Sequence, residues 1–289
     1  MSNLKEIRSR ISSVSSTMKI TSAMKMVSAA KLKKAQDRMQ NIRPFSTALT
    51  NMILNLVPSV NTSEIKLLSS FCKTDRTLLI TVSSNRGLCG GFNANIFKKG
   101  VTILDKKTEL FCIGKKCSEQ FVRKGHNVLQ TELDILDQPS LHESQKISKK
   151  IIDQYLEGRW SKVILIYNQF KNAATQDVVA KQILPISQNI NKEQGGVAKN
   201  TGRDYIFEPN KESIVNNLMP QQIHTQIFGA ILNSIASEHG ARMTAMHKAT
   251  DNANELKQNL KLSYNRQRQA AITNEILEIV AGAEALKNT

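Results

Sequence analysis

PQQIHTQIFGAILNSIASEHGARMTAMHKATDNANELKQNLKLSYNRQRQAAITNEILEIV, the run from Pro220 to Val280, decides the fold. Apolar residues recur on a helical period at Ile223, Ile227, Ile231, Ile235, Met243, Met246, Leu256, Leu260, Ile272, Ile276 and Ile279. Small side chains return every three or four positions at Ala230, Ser234, Ser237, Ala241, Ala245, Ala249 and Ala253. Such a row lets a second helix approach closely. If Lys211 to Leu286 is mostly one helix, it is on the order of 110 Å long at ~1.5 Å per residue. No ordinary globular domain is that wide, so the helix needs a partner along much of its length.

The partner lies at the other end of the chain. Leu4, Ile7, Ile11, Val14 and Met18 are followed by Ile20, Met24 and Val27 on a neighbouring track, then by Leu32, Ala35, Met39 and Ile42. This is a helix whose apolar stripe drifts around its axis. There is no glycine before Gly87 and no proline before Pro44, so the helix is expected to run most of the way to Pro58, roughly 80 Å. Pro44 is a place for a bend.

Between the two helices the pattern changes to short β-branched runs alternating with amphipathic stretches, as in an α/β unit. Strands are expected at Thr77 to Ser83, Glu109 to Ile113, Asn127 to Thr131, Lys162 to Tyr167 and Asp177 to Ile186. Helices fit at Asn93 to Asp105, Cys117 to Lys124 and Leu141 to Leu156, and Ser187 to Arg203 reads as a loop. The expected fold class is α/β: residues 1–58 and 211–287 form an antiparallel coiled coil, and residues 75–208 form an inserted, mostly parallel α/β domain.

Across 289 residues, 40 Lys and Arg face 24 Asp and Glu, a net charge of +16. The excess is densest in residues 1–58, with ten basic and two acidic side chains. The longest apolar runs, such as Val163 to Tyr167, are far too short for a membrane-crossing helix, which takes about 18 to 20 residues. Cys72, Cys89, Cys112 and Cys117 form no CxxC pair and have no histidine at ligand spacing, so reduced structural thiols are expected. Met1 to Lys34 is rich in Ser, Lys and Arg with the single acid Glu6, which is also the composition of an organelle transit peptide.

The turn Ser83-Ser84-Asn85-Arg86-Gly87-Leu88-Cys89-Gly90-Gly91-Phe92-Asn93 stands where phosphate binders sit, between a strand and a helix. It lacks the Lys-Ser/Thr ending of a P-loop, and its glycines miss the GxGxxG spacing, so a structural turn is favoured. Cys89 has only Arg86 for basic company in sequence, and the five histidines form no HxxxH pair. No active site assembles from these residues. A basic helix also fits nucleic acid, but residues 1–58 contain one aromatic, Phe45, and so no stacking platform for single strands. A basic coiled-coil nucleic-acid binder and an α/β nucleotide-binding enzyme with helical arms remain the alternatives at this point.

Three blocks carry a resemblance. Arg10-Ile11 with Met18-Lys19-Ile20-Thr21-Ser22-Ala23-Met24-Lys25-Met26-Val27-Ser28-Ala29-Ala30-Lys31-Leu32 is the first, and Arg86 to Asn93 the second. The third runs from Ser237 to Ala253 and continues from Tyr264 to Ala283. Together they resemble the gamma subunit of the F-type ATP synthase, closely over both helices and the glycine turn and loosely over residues 95–210. The resemblance implies a rotor shaft without catalytic residues, cofactor or metal. It would couple ion-driven rotation of a membrane ring to cycling of catalytic β subunits. The implied partners are the α and β subunits of the catalytic ring, the epsilon subunit and the c-subunit ring, with no nucleic acid and no membrane contact except through the c ring. The implied place is the cytoplasmic face of a bacterial plasma (inner) membrane, as a peripheral component. Since the match begins at residue 4, the Ser-rich start is expected to be shaft and not leader. Residues carried over as partner contacts are Met24, Lys25, Arg242, Arg268, Gln269, Thr273 and Glu278. Where the family usually has an acid before Arg-Gly-Leu-Cys-Gly, this chain has Asn85.

Overall fold

The computed structural model describes residues 4–57, 65–68, 74–186, 208 and 210–287. The expected loop at 187–203, the end of the first helix at Pro58, and Cys72 lie outside the described residues. Two compact units divide the chain: Met1–Val27 with Met243–Thr289, and Ser28–Arg242. Helix α1 (Leu4–Leu56) and helix α6 (Lys211–Lys287) each contribute to both.

The second unit is built on a five-stranded sheet of β1 (Thr77–Val82), β2 (Thr108–Ile113), β3 (Val128–Glu132), β4 (Lys162–Phe170) and β5 (Gln176–Leu184). Its order is β3-β2-β1-β4-β5; the first four strands are parallel and β5 runs antiparallel to β4. Register places Thr77 beside Thr108 on one side and Lys162 on the other. The central strand TLLITV is apolar almost throughout because helices cover both faces of a parallel sheet. On one face Leu79, Leu110, Cys112 and Ile166 pack against Phe92 and Ile96 of α2 (Phe92–Ile103) and Cys117 and Phe121 of α3 (Lys115–Arg123). By the alternation of a strand, Leu78, Ile80 and Val82 point to the other face and are fully buried there. Helix α5 (Leu141–Leu156) meets α6 through a hydrogen bond between Ser148 and His224. The sequence-based strands and helices all exist, with no end shifted by more than three residues and Leu141–Leu156 matched at both ends, and one short helix, α4 (Asp134–Asp137), was not foreseen.

One glycine is obligatory for this packing. Gly114 has φ 108°, and a Cβ there would lie 2.3 Å from the Ser83 carbonyl oxygen, so only glycine lets β2 turn into α3 beside the end of β1.

The stripe on α1 differs from the sequence reading in an instructive way. Its buried or half-buried side chains include, as one continuous row, Leu4, Ile7, Ile11, Val14, Met18, Thr21, Lys25, Ser28, Leu32, Ala35, Met39, Ile42, Ser46, Leu49, Ile53 and Leu56, with Met24 half-buried beside it. Steps of three and four alternate without a break, the 3.5-residue repeat of a coiled-coil seam. The stripe therefore does not drift. Thr21, Lys25 and Ser28 continue it, while Ile20 and Val27 are 60% and 56% exposed. Pro44 sits on the solvent side of α1, where the carbonyl it leaves without an N–H partner can bond to water.

In the first unit the two helices run antiparallel: Lys257 Nζ donates to Ser15 Oγ at 3.3 Å, and Thr250 meets Thr21 at 2.8 Å between hydroxyl oxygens. The facing seam of α6 continues as Met246, Thr250, Ala253, Lys257, Leu260, Tyr264, Gln267 and Ala271, all buried or half-buried. Leu256, expected on the apolar stripe, is instead exposed, as are Ile272, Ile276 and Ile279. Deleting Leu4 to Met18 should accelerate amide hydrogen exchange across Ala253 to Gln267, because that stretch loses its facing helix. Unchanged protection there would contradict the pairing.

Candidate partner interface

The turn between β1 and α2 is held from inside. Ser84 N–H donates to Asn93 Oδ1 at 3.0 Å, and Asn93 Nδ2 donates to Ser84 Oγ at 2.7 Å and to Cys89 Sγ at 3.3 Å. Ser84 Oγ donates to the Arg86 carbonyl at 2.7 Å. Backbone N–H groups at the start of α2 are taken too, Phe92 by the Cys89 carbonyl and Asn95 by that of Gly91. A phosphate-binding turn must offer free N–H groups. What this turn also presents are the carbonyls of Arg86 and Gly87.

Those carbonyls are already occupied. Arg242 Nη2 donates to the Arg86 and Gly87 oxygens at 3.1 and 3.2 Å, and Nε to Gly87 at 3.3 Å. The guanidinium also pairs with Glu238 at 2.8 Å, the two side chains being 9% and 12% exposed. Removing either member of so buried a pair strands the other charge, at about 3–5 kcal/mol. Burial pushes the Glu238 carboxyl upward, and the Arg242 charge opposes this. His239 Nδ1 lies 3.4 Å from Arg242 Nη1. Burial first, then the charges of Arg242 and Lys31, lower the His239 imidazole to about 4.

Asn85 uses both halves of its amide: Oδ1 accepts from the Lys115 N–H at the start of α3, and Nδ2 donates to the Leu133 carbonyl at 3.0 Å. An ionised carboxylate could accept the first bond and could not make the second. Burial pushes the Cys112 thiol up to about 11 and that of Cys117 to about 12, and raises that of Cys89 by the same cause, which disfavours the thiolate at all three. No group of three or more His, Cys, Asp or Glu suited to a metal exists among the described residues.

In the first unit Met24 and Lys25 are half-buried, with Lys25 on the seam itself. Arg268, Gln269, Thr273 and Glu278 are all exposed, and the Thr273 hydroxyl donates to the Gln269 carbonyl one turn back at 3.0 Å. From Ile272 to Ala283 every side chain is exposed, Leu277 and Val280 among them. The carried-over residues thus fall into two groups: Arg242 is inside the second unit, and the rest are on the helices of the first.

A family model described as ATP synthase matches residues 3–286. The ATP synthase gamma chain of Flavobacterium psychrophilum is 49% identical, over 99% of this chain and 100% of that one. The gamma chain of Flavobacterium johnsoniae is 50% identical, with 99% of each covered. The chain belongs to the ATP synthase gamma family. Among solved structures, the central stalk and c ring of Tetrahymena thermophila mitochondrial ATP synthase contains a chain with TM-score 0.58 and 27% identity, covering 80% of this chain and 99% of that one. A chain of the Euglena gracilis mitochondrial enzyme shares the fold, with TM-score 0.70 at 19% identity, over 98% of this chain and 94% of that one. Its function is that of the gamma chain, the rotor of the central stalk, and neither alternative, nucleic-acid binder nor nucleotide enzyme, finds support among these relatives.

Glu238 and His239 escaped the sequence reading as site residues. The signal was there, in an acid four residues before Arg242 on a helix face otherwise lined with small and apolar side chains. His239 also sets a pH dependence. It is neutral when folded and takes up a proton on unfolding, so acid favours the unfolded chain between its ordinary value of 6.5 and about 4. Thermal melts should fall over that window, and His239→Gln should flatten the fall. An equally steep loss in the variant would place the sensitivity elsewhere.

Proposed function

We propose that this chain is the non-catalytic shaft of a bacterial ATP synthase. Its paired helices stand inside a ring of alternating α and β subunits, and its α/β domain faces the epsilon subunit and the c ring. It works at the cytoplasmic face of the plasma membrane, peripherally, touching the membrane only through the c ring. What supports a surrounding partner is one observation: Ile272, Ile276, Leu277, Ile279 and Val280 are about half exposed or more, with no cover from this chain among the described residues. Contiguous apolar surface of this kind is a mark of an interaction site. The bacterial relatives support the place, and no helix among the described residues is long and apolar enough to cross a membrane.

An asymmetric shaft touches each of three β subunits differently, so the sites differ in affinity at any instant and rotation exchanges them. Lys25 and Met24 lie on α1 at the level of an acidic lever loop, where the basic surface draws opposite charge. Arg268, Gln269, Thr273 and Glu278 reach ring loops from α6. Arg242, expected among these contacts, serves the interface through the exposed turn it holds.

Two measurements test this. Titrating ATP or ADP into the isolated chain should give no saturable heat; a one-site isotherm abolished by Gly90→Ala would restore the enzyme reading. In the reconstituted complex, Arg268→Ala with Gln269→Ala should leave subunit stoichiometry unchanged, alanine being the best helix former. Multi-site ATP turnover should fall about tenfold, since a hydrogen bond to a charged group contributes about 1.5–3 kcal/mol. Wild-type turnover would remove these two residues from the interface.

A further inference from the structure

We propose that the β4–β5 hairpin is one jaw of a clamp on α6. Its tip seats on Gly240, opposite the grip of the β1–α2 turn on Arg242, and the two together stop the helix from rolling about its own axis against the sheet. The inference rests on the rotor reading and names the part that keeps torque from being lost between sheet and helix.

The starting observation is a glycine inside a helix, where glycine is destabilising. Gly240 lies in the interior of α6 and is buried. A Cβ there would stand 3.3 Å from the Ala173 Cα, 3.4 Å from the Ala173 carbonyl oxygen and 3.4 Å from Phe170 Cε2. The missing side chain is what lets the hairpin backbone come this close. Two further contacts lie on the same stripe of α6, at steps of four and three. The Phe170 N–H donates to Asn233 Oδ1 at 3.4 Å, and Ser237 Oγ donates to the Asn168 carbonyl at 3.1 Å. Asn233, Ser237 and Gly240 thus follow the end of β4 along one face of the helix.

The hairpin itself is built stiff. Asn172 Oδ1 accepts from the Ala174 and Thr175 N–H groups at 3.0 and 2.6 Å, and the Asn172 N–H donates to the Thr175 carbonyl at 3.2 Å. Gln176 Nε2 donates to the Ala173 carbonyl at 3.0 Å, and Lys171 and Asp177 form an ion pair across the base. Yet in the tip, residues 171–175, Ala173 is half-buried and the others are exposed. So much internal bonding around so little burial fixes a position and adds little to the core. That position has a counterpart. Successive residues of an α-helix are about 100° apart, so Gly240 and Arg242 leave the helix about 200° apart, on opposite sides of one turn. Arg242 is held there by the Arg86 and Gly87 carbonyls. A helix held on one side can still roll; held on both, it follows the sheet.

The test uses the full-length chain assembled with an immobilised ring of α and β subunits, stalled by a non-hydrolysable ATP analogue, with a rod fixed to the α/β domain. Wild type is compared with Gly240→Leu, and with Ala173→Cys plus Gly240→Cys read both reduced and oxidised. Gly240→Leu should speed amide exchange at Phe170, whose N–H bonds to Asn233, at unchanged subunit stoichiometry. The variance of the rod angle should widen about twofold in that variant. Oxidising the cysteine pair should return the variance to the wild-type value or below it. A freed tip with wild-type variance overturns the clamp and leaves the rotor reading intact. Equal variance in the oxidised and reduced pair also overturns it, as does unchanged exchange at Phe170 in Gly240→Leu, which removes the seat. Should Gly240→Leu fail to assemble, the cysteine pair decides alone. If the wild-type chain neither joins the ring nor rotates in it, the rotor reading fails and the clamp with it.

Discussion

The Arg242 guanidinium, buried against two backbone carbonyls and one carboxylate, fixes what the α/β unit can do. In the strand order β3-β2-β1-β4-β5, β1 lies between β2 and β4, and the crevice at the carboxyl ends of β1 and β4 is where doubly wound folds take their ligands. Here α6 lies across those ends. Ser234 Oγ donates to the Val82 carbonyl at 3.2 Å and Ser237 Oγ to that of Asn168 at 3.1 Å, and Arg242 then closes on the turn. The chain fills its own ligand crevice. Glycines that elsewhere let a pyrophosphate approach here let a helix bind, and the same hydrogen bonds hold Arg86 and Leu88 outward.

Polarity along α1 is inverted within the first of the three blocks that carry the family resemblance. Thr21, Lys25 and Ser28 face the seam, while Ile20, Met26 and Val27 face water. A helix selected only to pair with α6 would place them the other way round. An exposed apolar side chain forgoes roughly 1.5–3 kcal/mol of burial free energy, so each of the three is costly unless something outside the chain covers it. The seam in turn contributes modestly: a hydrogen bond such as that from Thr250 to Thr21 is worth about 1 kcal/mol. Polar groups at seam positions do more to fix register than to add stability.

This inversion is also what limited the sequence reading. Periodicity located both long helices and all five strands, the strands to within three residues, and Leu141–Leu156 to the residue, because burial against a sheet selects apolar side chains at regular spacing. The same logic read Ile20, Met24 and Val27 as a drifting stripe, because hydrophobicity marks surfaces that are covered without naming the cover. A cover supplied by another chain leaves the same signature as a core. Leu256 and Ile272, apolar and exposed, are positions where that logic misplaced the stripe. Arg242 was legible as a special residue in the third family block, but its partners, the carbonyls of Arg86 and Gly87, have no side-chain signature. Asn85 was visible as a departure, and only the two bonds from its amide explain why that amide serves here.

On the rotor reading, the division of chemistry along α6 has a mechanical logic. A shaft must turn within its housing and still report its angle. Apolar contact is non-directional, so a sleeve around Ile272, Ile276, Leu277, Ile279 and Val280 can slide past them without breaking a specific bond. Hydrogen bonds and ion pairs are directional, and each turn of the shaft must break and remake them. Exposed polar groups such as Arg268 and Gln269 suit the second task and the apolar tail the first. In the second unit the requirement is opposite: nothing there should slip, and the contact between α6 and the sheet is made of buried directional bonds, Ser234, Ser237 and the Glu238–Arg242 pair. One helix thus carries three kinds of contact, each matched to whether the surface it meets is meant to move.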